Sequence, residues 1–323
     1  MPSTITSYSQ MNLVEAMKRS GYDKAESVIG ELMKQHNFMA SCPWYPASDG
    51  IFHKHLQATR LGSGTFGSVN APIASISSTM DEVIEPIKIY EADSPIDERI
   101  LNTAKDPIKV RDSEDAANLE GFLQGWEYQL LYCNDTTTPN GFKGLAQRRA
   151  ALGTYCIGNS GTGSDLTSLW TFEFGPTGFN LRYSDQGIPG IRNEDRGRHL
   201  ATAPTGTGSY WAFIRHYEVV AAFELRDQRA MMRLANIETA GTSNTFSATT
   251  FIKSVKNRLP KAGRDAVSFA NRTLKGQIDA AAYDKSNAAY SIMDITGFGP
   301  VSAIAGVPVL LWESILDTET ALV

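Results

Sequence analysis

The sequence predicts an α+β protein. Three observations lead to this fold class: a long amphipathic helix pattern near the middle, strand patterns on both sides of it, and no regular alternation of strand and helix. The chain has 323 residues, of which 42% are hydrophobic and 20% are charged, as is ordinary for a folded protein. A chain of this length can build a sizeable core and is expected to form two subdomains.

The clearest predicted element is a helix over residues 112–133. Its apolar side chains follow the i, i+3, i+4, i+7 spacing of one helix face. Asp112 or Ser113 is predicted to cap its amino end, and Asn134 to help stop it. Gly121 and Gly125 would let another backbone approach closely. The apolar positions are Ala116, Leu119, Phe122, Leu123, Trp126, Leu130 and Cys133. We therefore expect this helix to be the element against which the sheets are laid.

The chain before this helix changes from a helical to a strand pattern. Met1 to Ala40 has a helical pattern, whereas Ile51 to Arg60 alternates as a strand does. Ile73 to Thr79 is predicted to return as the second strand of a hairpin, and Val83 to Tyr90 to form an edge strand. The Gly- and Ser-rich tip, Leu61 to Pro72, has too few apolar residues to pack against its own chain. Such a hairpin is either solvated or held by a neighbour.

The chain after the helix is predicted to contain strands and two further helices. Gly187 to Thr207 is expected to be irregular and charged. Ala266 to Ala270 is predicted to be a buried strand, followed by a helix from Arg272 to about Tyr283 that Asn271 caps. The other expected elements are a hairpin of Leu169 to Phe174 with Phe179 to Tyr183, strands Tyr210 to Leu225, Ala230 to Ile237 and Val307 to Leu311, and a short helix Phe251 to Leu259.

Composition argues against several classes of function. A net charge of −5 gives no reason to expect nucleic-acid binding, which needs clustered Lys and Arg. The three cysteines have no zinc-site spacing and are expected to be reduced and buried, as in a cytoplasmic product. Met1 to Gln10 lacks the apolar core of a signal peptide, and the run from Val301 to Trp312 is too short to span a bilayer. We therefore expect a soluble protein without membrane association.

Three motifs suggest chemistry but lack the necessary partners. Gly62 to Val69 matches the phosphate-covering loop of protein kinases, but no HRD or DFG motif accompanies it. His53 and His55 lie on one strand face and could share a metal, but without a supporting cluster we interpret them as surface or interface histidines. Cys133 and His216 could be imagined as a nucleophilic pair, but Cys133 lies on the apolar helix face and is better explained as structural. No catalytic residue, cofactor or metal ligand is predicted.

A cluster of charges of both signs lies within the segment expected to be irregular. Its mixed signs favour a salt-bridged contact loop over an active-site loop. Exposed ion pairs within one chain contribute only about 0–1 kcal/mol each, whereas between subunits charges set register and exclude wrong pairings. The residues are Arg192, Glu194, Asp195, Arg196 and Arg198. We therefore expect them to contact a neighbouring subunit.

Several segments together resemble one family, the major capsid proteins of tailed bacteriophages. The resemblance is to short-tailed phages, in the fold named after phage Hong Kong ninety-seven, and it covers roughly Trp44 to the carboxyl end. No single motif is specific, but five occur in the expected order. They are LLYCNDTTTPNGFKGLAQR, GTGSDLTSLWTFEFGP, HYEVVAAFELRDQRAMMRLANI, AVSFANRTLKGQID and GVPVLLWESILDTETAL.

The resemblance implies an arrangement of four parts. Residues 1–45 resemble an N-terminal arm and residues 46–78 the E-loop hairpin that lies over an adjacent subunit. Residues 79–240 resemble the peripheral domain with its spine helix, and residues 241–323 the axial domain with a closing strand. Tyr210 to Ile237 precedes the axial strand and helix, whereas in the commonest form of the fold the long peripheral strands follow them. That chain path resembles the reordered one of the short-tailed subgroup. The hairpin residues implied to contact a neighbour are Arg60, Gly62, Gly64, Phe66 and Gly67.

The function implied by the resemblance is structural. The chain is expected to assemble with itself as hexamers and pentamers into an icosahedral phage head that encloses double-stranded DNA. Portal, scaffolding and cement proteins are the expected partners, and the virion is the expected location after synthesis in the host cytoplasm. A bacterial nanocompartment shell protein of the same fold is the nearer alternative, and a nucleotide-binding enzyme that uses Gly62 to Val69 is the more distant one. Some relatives cross-link an E-loop lysine to a neighbour, but here Lys54 lies at the loop's base and the tip has no lysine.

Overall fold

A computed structural model describes residues 35–70, 72–185, 187–203, 208–240, 244–283, 288–295 and 298–323. Most of the helical pattern predicted for Met1 to Ala40 lies outside these residues. The described part is α+β, as predicted. It divides into two compact units, the first containing Ile89–Leu130 and Gly190–Val220, and the second His36–Lys88, Leu131–Pro189 and Ala221–Val323. Each unit is described by itself below.

The helices and strands of the described residues are numbered in chain order. The helices are α1 Asn37–Ser41, α2 Glu98–Thr103, α3 Pro107–Tyr132, α4 Leu145–Arg148, α5 Ala248–Thr250 and α6 Arg272–Tyr283. α5 continues as a π-helical turn, Phe251–Val255, and a 3₁₀ turn, Lys256–Arg258. The strands are β1 Trp44–Pro46, β2 Phe52–Arg60, β3 Thr79–Pro86, β4 Lys88–Asp97, β5 Cys156–Gly158, β6 Leu166–Glu173, β7 Phe179–Tyr183, β8 Ile191–Thr202, β9 Ser209–Leu225, β10 Met231–Glu238, β11 Ala266–Ala270, β12 Tyr290–Ile295, β13 Gly299–Ile304 and β14 Val307–Leu311. Among these helices, none combines the length and the apolar character needed to cross a membrane.

The long helix α3 is confirmed, but it begins at Pro107 and not near Asp112. Proline suits the first helical position because its φ is already helical and it has no N–H to satisfy there. Asp106 Oδ1 accepts a hydrogen bond from the backbone N–H of Lys109 at 3.1 Å, so that Asp106 takes the capping role predicted for Asp112 or Ser113. The predicted apolar stripe is confirmed at its centre, where Trp126 is fully buried, but Ala116 is exposed.

Aromatic side chains fasten α3 within the first unit. The Tyr90 ring lies 4.9 Å from the Phe122 ring and 5.6 Å from the Trp126 ring, centroid to centroid. Phe122 also packs against Tyr217 of β9 at 5.8 Å. The Tyr217 hydroxyl donates to the backbone oxygen of Asp115 at 2.8 Å. These contacts join the face of the helix to strands β4 and β9.

Strand β8 corrects the prediction of an irregular Gly187 to Thr207 over Ile191–Thr202, while residues 204–207 lie outside the described residues. It pairs antiparallel with β9 from Ile191↔Val219 to Thr202↔Ser209, with one irregularity between Asp195 and Gly197. Most of its side chains are exposed, so no alternation of apolar and polar residues announces it in the sequence. The strand exists because β9 supplies an edge whose backbone groups need partners.

The second unit is built on a seven-stranded sheet of order β12-β13-β14-β11-β6-β10-β5. Every residue of β6, an interior strand between β11 and β10, is buried. Beside the sheet, Phe38 of α1 stacks on Trp312 at 4.1 Å and meets Phe269 edge-on at 5.4 Å. The predicted cap of α6 is confirmed, since Asn271 Oδ1 accepts from the backbone N–H of Leu274 at 2.8 Å. The strands predicted at Ala266 to Ala270 and Val307 to Leu311 are confirmed as β11 and β14.

The predicted hairpin of β6 and β7 is wrong. The two strands belong to different sheets, and only Phe174 and Phe179 form an isolated bridge between their ends. β7 pairs antiparallel with β9 from Phe179↔Leu225 to Arg182↔Ala222, and it pairs parallel with β1. The Gly175 to Gly178 turn therefore carries the chain from one sheet to the next.

The two glycines of α3 have different surroundings, which correct the prediction that both admit a backbone. A Cβ at Gly121 would meet nothing within 4 Å, whereas a Cβ at Gly125 would lie 2.5 Å from the Tyr90 hydroxyl oxygen. Gly125 thus makes room for a side chain.

This difference predicts different effects on stability for the same substitution at the two glycines. We expect Gly121→Ala to raise the free energy of unfolding by about 0.5–1 kcal/mol, because alanine loses less backbone entropy in a helix. Gly125→Ala should lack this gain, because it displaces Tyr90 from Phe122 and Trp126. Urea unfolding of the two variants measures both effects. Equal stabilisation by both would show that Tyr90 does not need the space.

Candidate functional site

The β2–β3 hairpin is the first candidate site. The strands pair from Phe52↔Pro86 to Arg60↔Thr79, so the return strand begins at Thr79 and the prediction of Ile73 to Thr79 is wrong. At the hairpin root, the end of the hairpin where Phe52 pairs with Pro86, His53 lies opposite Glu85. This register ends the pairing at Arg60 and Thr79, so the connection between the two strands is longer than predicted. The strand predicted at Val83 to Tyr90 is in fact shared between β3 and β4.

The connection between β2 and β3 exposes large apolar side chains. Phe66 is fully exposed, and the others include Leu61, Val69, Ile73 and Ile76. Of the predicted contact residues, Arg60 donates to Ser77 Oγ at 3.4 Å, and Gly62 is approached closely by Ile76 and Ser77. Added Cβ atoms at Gly64 and Gly67 would meet nothing within 4 Å. Within the second unit, this segment therefore leaves its apolar side chains without a core.

The hairpin root, in contrast, is held by buried polar contacts. Arg148 and Glu85 form two parallel hydrogen bonds of 2.7 Å. His53 Nε2 lies 2.9 Å from Glu224 Oε1 on β9. His53 and His55 are both about 95% buried within their own chain, so the interpretation as surface or interface histidines is wrong. The supporting carboxylate, Glu224, lies 171 residues away in the chain, so no local pattern could indicate it.

Glu224 is the polar centre of this root. Its Oε2 accepts from Asn180 at 2.7 Å and from Arg182, and its Oε1 lies 3.1 Å from the Arg226 Nε. Burial raises the pKa of Glu224, but the hydrogen bonds from His53, Arg182 and Asn180 outweigh burial and hold it below its usual value. The carboxylate is therefore ionised in the folded protein at neutral pH.

The charged strand β8 is the second candidate site, and it belongs to the first unit. Arg111 Nη2 lies 2.6 Å from Asp195, and Arg198 Nη2 lies 2.7 Å from Glu98. The hydrogen bond from Arg111 lowers the pKa of Asp195. Arg196 pairs with Asp93 at 3.5 Å, and Arg192 pairs with Glu194 at 2.9 Å and with Glu218 at 3.5 Å. All five predicted charges thus have partners in their own chain.

The cysteines are structural, as expected. Cys42, Cys133 and Cys156 are buried and form no disulfide. Burial raises the pKa of each thiol, which disfavours the thiolate needed for nucleophilic chemistry.

The comparisons with known proteins agree with a structural rather than a catalytic protein. The model of the family described as major capsid protein GP7 matches residues 21–323. A chain in the near-atomic structure of bacteriophage Epsilon15 has a TM-score of 0.67 at 18% identity, covering 100% of this chain and 99% of that one. The bacteriophage JBD30 capsid gives 0.50 at 9% identity, covering 89% and 93%. The SrpI encapsulin of Synechococcus elongatus PCC 7942 gives 0.50 at 8% identity, covering 72% and 98%. Among curated proteins, no sequence match was found.

The family match over residues 21–323 defines the class of this chain, a viral shell protein. The chain belongs to the family of major capsid protein GP7, and it is a structural capsid protein and not an enzyme. The predicted resemblance to tailed-phage major capsid proteins is thereby confirmed. A nucleotide-binding role for Gly62 to Val69 is set aside with the enzyme alternative.

Proposed function

We propose that this chain is the repeating subunit of an icosahedral phage head, assembled as hexamers and pentamers around double-stranded DNA. The observation that carries this proposal is the segment between β2 and β3, where Leu61, Phe66, Val69, Ile73 and Ile76 are all exposed. Apolar side chains grouped in this way mark a surface that another protein covers. A second copy of the chain is the partner that a self-assembling shell supplies.

The proposed parts of the subunit follow the family. Residues 1–45 form the N-terminal arm, residues 46–78 the E-loop, residues 79–240 the peripheral domain, and residues 241–323 the axial domain. In this arrangement the buried polar root orients the hairpin, and the tip makes the contact with the neighbour. Portal, scaffolding and cement proteins complete the proposed partners in the virion. The net charge of −5 suits a container that encloses DNA without binding it tightly.

A nanocompartment shell is the second candidate, favoured by the similarity to the SrpI encapsulin fold. The match to the capsid family over residues 21–323 favours the phage head. Electron microscopy of shells purified from cells that express the neighbouring genes separates the two. DNA-filled heads with a unique vertex support the phage proposal, and closed shells loaded with a protein cargo contradict it.

Deletion of the hairpin tip tests the proposed assembly role. Removal of Leu61 to Pro72 should leave a folded, soluble subunit that assembles poorly, because the deleted residues have no core of their own. Circular dichroism measures folding, and sedimentation with negative-stain microscopy measures shells. Ile188→Ser, which removes an exposed apolar side chain from another loop, is the control and should assemble normally. Normal shells from the deletion variant, or an unfolded subunit, would contradict this role.

The charged strand is proposed to contact a neighbouring subunit through its exposed charges: Arg192, Glu194, Asp195, Arg196 and Arg198. Glu194→Lys is the sharpest test, since among the described residues Glu194 pairs only with the half-exposed Arg192, whereas Asp195 holds Arg111. The variant should melt almost as the native subunit does, with a change below about 1 kcal/mol. It should assemble poorly at low salt and better as salt screens the misplaced charge. Normal assembly at every ionic strength would show that the exposed charges of β8 face solvent and do not contact a neighbouring subunit.

A further inference from the structure

The hairpin root contains an arrangement that the assembly role does not require. His53 and His55 project from one face of β2, and Glu224 faces them from β9. The two imidazole rings lie 6.0 Å apart, centroid to centroid, and their planes are tilted by 24°. One potential ligand atom from each of the three residues lies within 4.8 Å of the other two. All three side chains are buried.

His55 is the member of this cluster whose polar atoms are unsatisfied within the described residues. Both of its ring nitrogens are buried, and neither has a hydrogen-bond partner among the described residues. Buried polar atoms are normally satisfied, since leaving one unpaired costs the full desolvation of that group. An imidazole whose nitrogens have no partner within the described residues keeps a lone pair that the chain does not use. A neutral imidazole with an unused lone pair is the form that binds a metal ion.

We propose that His53, His55 and Glu224 bind a divalent transition-metal ion, for which Zn²⁺ is the best match. Two imidazoles and one carboxylate are a known zinc ligand set, and a fourth position is commonly taken by water. Imidazole favours Zn²⁺, Ni²⁺ and Co²⁺, whereas Ca²⁺ and Mg²⁺ take oxygen ligands. The sequence alone did not support a metal site, because the two histidines had no third ligand until β9 placed Glu224 beside them.

The surrounding side chains set the conditions for binding. Asn180 and Arg182 hold Glu224 through Oε2, which leaves Oε1 directed at His53. Arg226, whose guanidinium lies beside Oε1, has a side chain that is 45% exposed and can turn into solvent. The Nδ1 of His53 faces the backbone N–H of Ser48 at 3.2 Å. A metal at Nε2 requires the ring proton on Nδ1, so the Ser48 contact must lengthen as the ion enters. Binding would therefore replace the His53–Glu224 hydrogen bond with a metal ion that His53, Glu224 and His55 coordinate together.

Metal titration of the full-length, unassembled subunit tests the proposal. After treatment with a chelator, calorimetry with Zn²⁺ should show one ion per chain, and Ca²⁺ should not compete. Co²⁺ should give the strong visible absorption of four-coordinate cobalt, which Zn²⁺ abolishes. We expect Zn²⁺ to raise the melting temperature of the native subunit.

His55→Leu is the decisive variant, because His55 has no hydrogen bond in the described structure to lose. It should fold, lower the Zn²⁺ affinity at least about 10-fold, and remove the thermal shift. His199→Gln, on the exposed part of β8, is the matched control and should bind as the native chain does. Absence of the Zn²⁺ and Co²⁺ signals in the native subunit, or equal binding by His55→Leu, would overturn the proposal. Should His55→Leu fail to fold, the native Co²⁺ spectrum decides alone.

Discussion

Trp126→Ala is expected to unfold the subunit or to make it insoluble. Trp126 is fully buried at the middle of α3 and packs against Tyr90, and truncation of a buried Trp costs about 3–5 kcal/mol. Native proteins are stable by only about 5–15 kcal/mol, so this loss is a large fraction of the total. Thermal melting followed by circular dichroism measures the loss directly.

The control lies two residues further along the same helix. Tyr128 is 43% exposed, so Tyr128→Ala should change the free energy of unfolding by less than about 1 kcal/mol. A native melting temperature for Trp126→Ala would mean that the α3 stripe does not hold the first unit together. A folded Trp126 variant that only assembles badly would equally contradict the packing argument.

Glu319→Gln is expected to destabilise the second unit by about 3–5 kcal/mol, although it changes only one heavy atom. Arg233 lies 3.1 Å from Glu319, and both side chains are about 95% buried. Tyr132 donates to the same carboxylate at 2.7 Å, and Ser168 also contacts it. Without the negative charge, the Arg233 guanidinium remains in the interior with no counter-ion. A buried charge without a counter-ion lowers the free energy of unfolding by several kcal/mol.

Urea unfolding monitored by tryptophan fluorescence measures this effect. Asp265→Asn is the matched control, since Asp265 pairs with Lys261 at 2.7 Å and both are more than half exposed. Its unfolding midpoint should stay close to that of the native subunit. Equal midpoints for Glu319→Gln and Asp265→Asn would show that Arg233 finds another partner or water.

The elements that the sequence predicts well are those whose cause is local. α6 is announced by Asn271 at its amino end, and the strands β9, β11 and β14 by dense β-branched and aromatic residues. The start of α3 is misplaced by the sequence analysis because Asp112 and Ser113 are good capping residues, whereas the cap in the structure is Asp106, directly before Pro107.

The elements that it misses depend on distant partners. β8 is polar on both faces and is ordered by pairing with β9. The turn after β6 resembles a hairpin turn, but tertiary packing sends β7 to another sheet. The hairpin-root site joins β2 to a carboxylate 171 residues away, so histidine spacing suggested a metal pair without its third ligand. Pairings of this kind join residues that are far apart in the sequence, so no periodic pattern of apolar and polar residues indicates them.

The position of β6 in the seven-stranded sheet also determines how soon the chain can fold during synthesis. Its neighbours are β10 and β11, and the latter begins at Ala266, almost a hundred residues after β6 ends. At a translation rate of about 5–20 residues per second, the ribosome needs roughly 5–20 s to deliver β11 after β6. Throughout that interval an eight-residue strand destined for complete burial has an unpaired edge in a crowded cell. Yield of this protein is thus set by protection of nascent chains as well as by the stability of the finished subunit.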